Sequence, residues 1–270
     1  EGASFLKTRN LEAIGPSVVQ DDPHFSRPYR SMTEAEILEV VSAFGDAARR
    51  VREAGIDAVQ VHSAHAYLLS QFLSPYLNRR NDQWGGDLEN RLRFHREILK
   101  DIRAKAGEDY PLLMKLGVQD GFPEGLEFRE GALAARFLAG WGVDALEISS
   151  GLRGKRYEGT EFKTKISSPE REAYFRKWCK TIKGEVDVPV MMVGGLRTLA
   201  LMEDAIKRGE ADFVSLCRPF IREPSIVNKW REEPHYKPTC ISCNQCLDTI
   251  FKGNRVQCMQ EAKGKKKTKT

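Results

Sequence analysis

The chain has 270 residues, enough for the core of one α/β domain, and its hydrophobic (41%) and charged (30%) contents are ordinary for a globular protein. Its apolar runs are too short to cross a membrane, and no segment is typical of a secretory signal. The net charge is +5, and the tail 261–270 carries as many lysines. We expect this tail to be disordered. The rest of the chain is nearly neutral, which does not favour nucleic acid as a partner.

The predicted elements begin with a loop and then alternate between helix and strand. The first thirty residues show no hydrophobic period and contain turn-forming pairs such as Gly15-Pro16, which predicts an ordered loop. Thr33 and Glu36 form a capping box, so a helix is expected to follow Thr33 and to end at Gly55. The predicted strands cover 57–62, 111–118, 144–149, 188–193 and 212–216. The later helices are expected at 90–106, 127–140, 168–182, 199–208 and 224–232.

This alternation predicts a parallel sheet of the α/β class. The strands are apolar on both faces and polar only at their C-terminal ends, which favours a (β/α)8 TIM barrel with its active site at that end. Five strands are recognisable where a barrel needs eight.

Polar and aromatic side chains are densest just after the first predicted strand. His62, His65 and Tyr67 follow one another within six residues. Two imidazoles at this spacing can hold one oxygen atom, and a neighbouring phenol can deliver a proton. Histidine pairs also bind metals, although no third ligand lies nearby in sequence. The residues alone leave open a purely structural role for all three.

A second cluster lies near the C-terminus and consists of Cys240, Cys243, Cys246 and Cys258. Three cysteines at spacings of three, followed by a distal fourth, are typical of iron–sulfur ligation and predict a 4Fe-4S cluster. Zinc is the second choice, because zinc sites usually contain two separated C-x2-C pairs. Reduced surface thiols and a disulfide framework fit the spacing less well. A cluster of this kind also indicates a cytoplasmic setting.

The motifs of the chain closely resemble those of the Old Yellow Enzyme family of FMN-dependent NAD(P)H oxidoreductases. Similarity is strongest in HSAHAYLLSQFLSPYLNRRNDQWGGDLENRLRF, which begins at His62, and is supported by VGGL at Val193 and SLCRPFIREP at Ser215. The nearer match is the Fe–S branch of the family, typified by 2,4-dienoyl-CoA reductase and trimethylamine dehydrogenase. There a cysteine segment similar to the one starting at Cys240 follows the barrel.

The resemblance implies roles for particular residues. His62 and His65 would bind the carbonyl oxygen of an electron-poor alkene, and Tyr67 would donate the proton. Lys115 would lie near the N1/O2 edge of FMN, where many members have arginine. The residues implied at the FMN phosphate are Gly194, Gly195, Cys217 and Arg218. For the arginines of the segment 78–93 a structural role is favoured over substrate binding.

The implied protein is an FMN- and Fe–S-dependent oxidoreductase that reduces the C=C bond of an enone or enoyl thioester with electrons from NAD(P)H. The alternatives are an amine dehydrogenase and a non-catalytic Fe–S scaffold subunit. The expected units are a barrel portion at 1–232, an iron–sulfur segment at 233–260 and the tail. The sequence accounts for strands four to eight of the barrel, which leaves three alternatives: a fragment of a longer chain, a barrel completed by a partner, or a reduced barrel. A homo-oligomer or a partner chain that supplies the missing strands is expected.

One loop adds a further expectation. The segment 151–168 follows a strand end and carries Arg153, Lys155, Arg156, Lys163 and Lys165. We expect these cations to contact an anionic part of the substrate, such as the phosphates of a coenzyme A thioester. A solvated loop is the alternative.

Overall fold

The computed structural model describes residues 12–20, 29–153 and 161–262. The predictions for the basic tail beyond residue 262, and for Lys155 and Arg156, lie outside the described residues. The strands are β1 (Ala13–Gly15), β2 (Tyr29–Ser31), β3 (Val59–Ser63), β4 (Leu112–Gly117), β5 (Ala145–Ser149), β6 (Val190–Met192) and β7 (Phe213–Val214). The helices are α1 (Glu34–Glu53), α2 (Leu68–Leu73), α3 (Leu88–Ala106), α4 (Phe128–Gly140), α5 (Arg176–Lys183), α6 (Leu199–Lys207), α7 (Arg218–Arg222), α8 (Ile226–Glu232) and α9 (Gln245–Phe251).

The main sheet is parallel and runs in chain order from β3 to β7. This confirms the predicted α/β class, since consecutive parallel strands joined by helices are the arrangement of a TIM barrel in part. Each predicted strand is present, but all five are shorter than the apolar runs suggested. The last contains only Phe213 and Val214, and the phenylalanine remains 57% exposed.

The capping box at the first long helix forms as predicted. The hydroxyl of Thr33 accepts a hydrogen bond from the N–H of Glu36 at 3.3 Å, and the carboxylate of Glu36 accepts one from the N–H of Thr33 at 2.8 Å. These bonds satisfy two backbone donors that the first turn of a helix otherwise leaves unpaired. The helix buries Ile37 and Ala48 and packs along α3, which fixes the outer layer over the first two strands of the main sheet.

The core lies between the sheet and these helices. Met114, Leu116 and Ile148 on the strands are fully buried, as are Ile98 and Phe94 on α3. Burying a side chain of this size stabilises the fold by roughly 1.5–3 kcal/mol. The opposite face of the strands, which carries Lys115, is more open and leads to the site described below.

The prediction of an irregular N-terminal loop is wrong where β1 and β2 pair in parallel, with Ala13 opposite Tyr29. Three-residue strands are too short to show a period of two, so sequence periodicity could not reveal them. The pair is anchored by tertiary contacts, among them a hydrogen bond of 2.6 Å from the hydroxyl of Ser17 to the carbonyl of Leu77.

The single helix predicted at 168–182 is also wrong. The chain forms a short 3-10 turn (Pro169–Arg171), breaks, and begins α5 only at Arg176. At the break, Ala173 has a φ of 49°, which a right-handed helix cannot contain. The buried carboxylate of Glu172 accepts hydrogen bonds from the backbone N–H groups of Arg197 and Thr198, and these contacts hold the break in place.

The predicted helix at 224–232 begins two residues late, at Ile226, and the short helices α2, α7 and α9 were not predicted. Glu223 separates α7 from α8, and its carboxylate accepts hydrogen bonds from the N–H and the hydroxyl of Thr239. Among the residues that the structure describes, no helix is long and apolar enough to cross a membrane.

Candidate active site

Three neighbouring strands place polar side chains side by side at one level of the sheet. The register sets His62 on β3 opposite Lys115 on β4, and Lys115 opposite Glu147 on β5. The ammonium group of Lys115 donates a hydrogen bond to Glu147 at 2.7 Å. Because parallel strands end at the same edge, residues far apart in sequence meet at one mouth.

The structure brings His62, His65 and Tyr67 together. The ring centroids of His62 and His65 are 4.9 Å apart in an edge-to-face arrangement, and the ring of Tyr67 lies 4.9 Å from that of His62. His65 and Ala66 have φ values of 60° and 64°, so two left-handed residues turn the chain sharply after β3. This turn brings the second imidazole back beside the first and leaves Tyr67 40% exposed at the mouth.

Both imidazoles are held in the neutral form. Burial lowers the pKa of His65 to about 3, and burial together with the charge of Lys115 lowers the pKa of His62. The Nε2 atom of His65 lies 2.8 Å from the hydroxyl oxygen of Ser149. The Nδ1 atom of His62 is buried and has no hydrogen-bond partner among the described residues. The Nδ1 atom of His95, away from the site, is unpaired in the same way, so this observation alone does not assign a function to His62.

A cavity of about 330 Å³ opens beside the histidines. It is lined by His65 and by all five residues implied at the cofactor, namely Lys115, Gly194, Gly195, Cys217 and Arg218. Apolar residues such as Val193, Leu216 and Ile250 cover much of the remaining wall. A largely apolar cavity with a few convergent cations is the usual form of a site for a flat anionic cofactor.

The two glycines of the cavity have a structural reason to be glycine. Gly194 and Gly195 have φ values of 124° and 74°, and a Cβ on Gly195 would lie 2.8 Å from the ring of Tyr174. The hydroxyl of Tyr174 donates to the carbonyl of Glu161 at 2.5 Å, which fixes the ring over the glycines. The backbone conformation and the ring of Tyr174 therefore favour glycine at these positions even without a bound phosphate.

Arg218 is the second cation at the cavity. Its guanidinium donates hydrogen bonds to the carbonyl of Lys163 at 2.7 Å and to the side chain of Asn244 at 2.6 Å. Cys217, beside it, is exposed. The positive charges of Lys115 on β4 and of Arg218 at the start of α7 thus reach the same cavity.

The cysteines of the C-terminal segment line a second, smaller cavity together, and its walls include Cys240, Cys243, Cys246 and Cys258. Ser242 and Asn244, in the two spacers, have φ values of 50° and 59° and turn the chain so that successive sulfurs face one space. No group of three or more His, Cys, Asp or Glu side chains in the described ranges is placed to hold a single metal ion. In a four-iron cluster each cysteine binds a different iron, so the four sulfurs need only face one space and need not converge on a single ion. The cluster stays a prediction.

The cysteine segment is tied to the barrel by charged side chains. Arg197 donates to the carbonyl of Pro238 at 2.8 Å, and the carboxylate of Glu223 accepts from the N–H of Thr239 at 2.7 Å. Burial would raise the pKa of Glu223, but its hydrogen bonds with Tyr236, Lys229 and Thr239 prevail and lower it to about 2. These contacts fix the backbone at Pro238 and Thr239, immediately before Cys240 and next to α7.

The two cavities share a wall. Cys246 and Arg218 line both of them. A redox group among the cysteines would thus lie directly beside a ligand in the larger cavity.

Sequence reasoning missed two buried carboxylates at the site. Glu147 was detectable as a charged residue within an otherwise apolar strand, and its side chain is 8% exposed. Glu161 lines the cavity, with a side chain 9% exposed, and forms an ion pair with Arg153. This pairing argues against Arg153 as a contact for substrate phosphates, while Lys163 lies over the ring of Tyr174 at 5.0 Å.

The arginines that follow the histidines have structural contacts. Arg91 is buried and donates to the carbonyls of Leu73 and Gly86. Arg80 donates to the carbonyls of Pro16 and Met32. The similar bonds of Arg79 and Arg93 go to the carbonyls of Tyr76 and Gln83. Bonds to backbone carbonyls are typical of a structural role, which the sequence favoured for the arginines of the segment 78–93.

Comparison with known proteins gives one consistent result. The sequence profile of the NADH:flavin oxidoreductase / NADH oxidase family matches residues 6–235. NADH oxidase of Thermoanaerobacter brockii is 35% identical over 255 residues, which cover 93% of this chain and 38% of that protein. Cinnamate reductase of Clostridium sporogenes is 32% identical over 269 residues, covering 91% of this chain and 39% of the reductase.

A solved structure extends the similarity to three dimensions. A 2-naphthoyl-CoA reductase in complex with 2-naphthoyl-CoA superposes with a TM-score of 0.82 at 32% sequence identity. The match covers 92% of this chain and 37% of the reductase. The chain thus spans less than two fifths of the length of these relatives.

Proposed function

Because the chain belongs to the NADH:flavin oxidoreductase / NADH oxidase family, we propose that it carries the catalytic mouth of a flavin-dependent reductase acting on an activated C=C bond. The observation that carries the proposal is the cavity shared by His65, Lys115, the two glycines, Cys217 and Arg218. The ring of His62 lies against that of His65, and the ring of Tyr67 lies against that of His62. The substrate class is an enone or an enoyl thioester.

The histidine pair binds the carbonyl oxygen of the substrate. Neutral imidazoles can donate an N–H to that oxygen, and the lowered pKa values of His62 and His65 keep both neutral at pH 7. Hydrogen bonds to the oxygen draw electron density from the conjugated C=C bond, which makes its β-carbon electrophilic. The second nitrogen of His65 is oriented by Ser149.

Tyr67 supplies the proton to the α-carbon. Its ring lies next to His62 and is partly exposed at the mouth, so a substrate held by the histidines comes within reach of the phenol. General acids placed in this way contribute roughly 10²–10⁴-fold to a rate.

FMN fits the larger cavity on the chemistry of its donors. Arg218 would neutralise the phosphate, and Lys115 would place a positive charge at the N1/O2 edge, while the apolar wall suits a flat ring system. When bound, FMN supplies the hydride for the β-carbon, with NAD(P)H as the source of electrons. The protein's part is to align the alkene and to exclude water from the mouth.

The four cysteines of the second cavity are the residues that would hold a 4Fe-4S cluster, because thiolates are its usual ligands. Arg222 lies close enough to donate a hydrogen bond to the sulfur of Cys258 at 3.2 Å. The common wall at Cys246 and Arg218 supports a role for the cluster in passing single electrons to or from the flavin site.

The names of two relatives support the substrate class. Cinnamate and 2-naphthoyl-CoA both carry a carbonyl group conjugated to carbon–carbon double bonds. A histidine pair that grips a carbonyl oxygen suits such acceptors.

The test begins with anaerobic purification, a visible spectrum and an FMN titration of the whole chain. We expect flavin binding, and NAD(P)H oxidation that depends on an enone or an enoyl thioester. Arg218→Ala should weaken FMN binding, whereas Arg208→Ala, which removes an exposed cation paired with Asp204 on α6, should not. Failure of the wild-type chain to bind FMN at micromolar concentrations contradicts the proposal for this chain.

A further inference from the structure

Lys115 lines the cavity assigned to FMN, and the carboxylate of Glu147 opposes its positive charge. The ammonium group of Lys115 lies 2.7 Å from a carboxylate oxygen of Glu147, and the lysine side chain is only 19% exposed. The second oxygen of Glu147 accepts a hydrogen bond from the amide of Gln60 at 3.0 Å. Both carboxylate oxygens are thus occupied, so the carboxylate is fixed in place next to the lysine.

The position of this pair is set by the sheet. Lys115 and Glu147 are register partners on adjacent central strands, and backbone hydrogen bonds hold both strands. A buried charge is stable only when it is paired and hydrogen-bonded, and this pair meets both conditions. Neither residue can move away without leaving the other charge uncompensated.

We propose that Glu147 is a charge-setting residue for the flavin site, by which we mean that it holds Lys115 in position and offsets its positive charge. The inference rests on the proposed function, in which Lys115 faces FMN. A cation at that edge stabilises the reduced cofactor more than the oxidised one, because reduction adds negative charge there. By offsetting this cation, Glu147 lowers the reduction potential of the bound flavin and makes it a stronger reductant.

The experiment compares the midpoint potential of bound flavin in the wild-type chain and in Glu147→Gln. The variant keeps the size and hydrogen-bonding capacity of the side chain but removes its charge. We expect the ratio of reduced to oxidised affinity to rise on the order of tenfold, a shift of about +30 mV for a two-electron couple. Glu147→Asp, which keeps the charge, should stay nearer to the wild-type value.

Two further variants complete the test. Lys115→Met leaves the carboxylate unopposed and should shift the potential in the negative direction. Glu210→Gln removes an equal charge from a buried ion pair with Arg176, outside the cavity, and should leave the potential unchanged. If Glu147→Gln does not fold, the double variant Lys115→Met/Glu147→Gln is compared with Lys115→Met, and removal of the carboxylate charge should again raise the potential.

The outcomes separate the inference from its premise. If the wild-type chain binds no FMN, the proposed function fails for this chain. If FMN binds but Glu147→Gln has the same potential as wild type or as Glu210→Gln, the charge-setting role is wrong.

Discussion

The Nε2 atom of His65 lies 2.8 Å from the hydroxyl oxygen of Ser149, which joins the loop after β3 to the end of β5. This bond crosses over the intervening strand β4 and fixes the rotation of one imidazole of the pair. An imidazole whose second nitrogen is held in this way presents a defined N–H to a ligand.

The first prediction concerns this bond. Ser149→Ala should lower kcat/KM for the alkene about tenfold, because a hydrogen bond that orients a donor is typically worth about 1 kcal/mol or somewhat more. The control is Ser150→Ala, which removes a neighbouring hydroxyl that bonds to the carbonyl of Gln119 instead. Steady-state kinetics with an enone or an enoyl thioester measure both, and equal effects of the two changes would count against an orienting role for Ser149.

The second prediction separates proton delivery from electron supply. Tyr67→Phe should slow reduction of the alkene by roughly 10²–10⁴-fold, the usual contribution of a general acid. Reduction of the protein by NAD(P)H should be nearly unchanged, since that half-reaction needs no proton from Tyr67. Rapid-mixing measurements of the two half-reactions decide the matter, and a similar loss in both would assign Tyr67 to structure rather than to proton donation.

The third prediction concerns Asp120, a buried residue that joins three loops at the C-terminal ends of the strands. Its carboxylate accepts hydrogen bonds from the hydroxyl of Ser74 and from the N–H groups of Leu126 and Leu152, all at 2.6–2.7 Å. Asp120→Ala leaves these buried donors unpaired and should lower the free energy of unfolding by on the order of 3 kcal/mol.

Urea unfolding measures this loss. The matched control is Asp101→Ala, which breaks an ion pair with Lys105 within α3 and should change stability by less than about 1 kcal/mol. Comparable losses in the two variants would mean that Asp120 does not hold the loops together.

The parts of the fold that were predictable are those encoded locally. Thr33 and Glu36 specify a helix start within four residues, and the alternation of apolar strands with helices specifies a parallel sheet in chain order. The break at Glu172 was not predictable, because its cause is a pair of backbone N–H groups some 25 residues away in sequence, at Arg197 and Thr198.

The site follows the same division. The resemblance identified His62, Lys115 and Arg218, and the strand-end rule predicted that such residues would meet. Glu147 and its bond to Lys115 were missed, since that contact depends on the register between β4 and β5, which no local pattern specifies. A single carboxylate residue within an apolar strand, such as Glu147, indicates a cationic partner on an adjacent strand.

The fourth prediction concerns the proposed iron–sulfur site. Arg222 donates to the sulfur of Cys258, and its hydrogen bond and charge lower the pKa of that thiol against the opposing effect of burial. Hydrogen bonds and positive charge at a cluster sulfur stabilise the reduced cluster, so Arg222→Gln should lower its midpoint potential, by up to about 60 mV, which is a tenfold change for one electron.

Iron analysis and a redox titration followed by electron paramagnetic resonance provide the measurement. Arg208→Gln, which removes an exposed cation immediately after α6, should leave the potential unchanged. Cys258→Ala should reduce the iron content. Purified protein that contains zinc and no iron would sink the cluster assignment itself.

The last prediction is a pH dependence of stability that arises away from the site. His95 is fully buried on α3, its Nε2 atom lies 2.7 Å from the hydroxyl of Ser63, and burial lowers its pKa from 6.5 to about 3. Between these values the unfolded chain binds a proton that the folded chain does not. The free energy of unfolding must therefore fall as the pH is lowered from 6.5 towards 3, by up to about 1.4 kcal/mol per pH unit from this residue, with no contribution above pH 6.5.

Replacement of His95 by Gln removes the titrating group, so the variant should lose less stability than wild type as the pH falls, whatever its stability at pH 7. Urea midpoints measured at intervals from pH 8 to pH 4 would show two curves that run parallel above about pH 6.5 and converge below it. Subtraction of the curves isolates His95 from the buried histidines of the site, which titrate in both proteins. Curves that stay parallel down to pH 4 would mean that His95 takes up its proton in the folded state at its ordinary pKa.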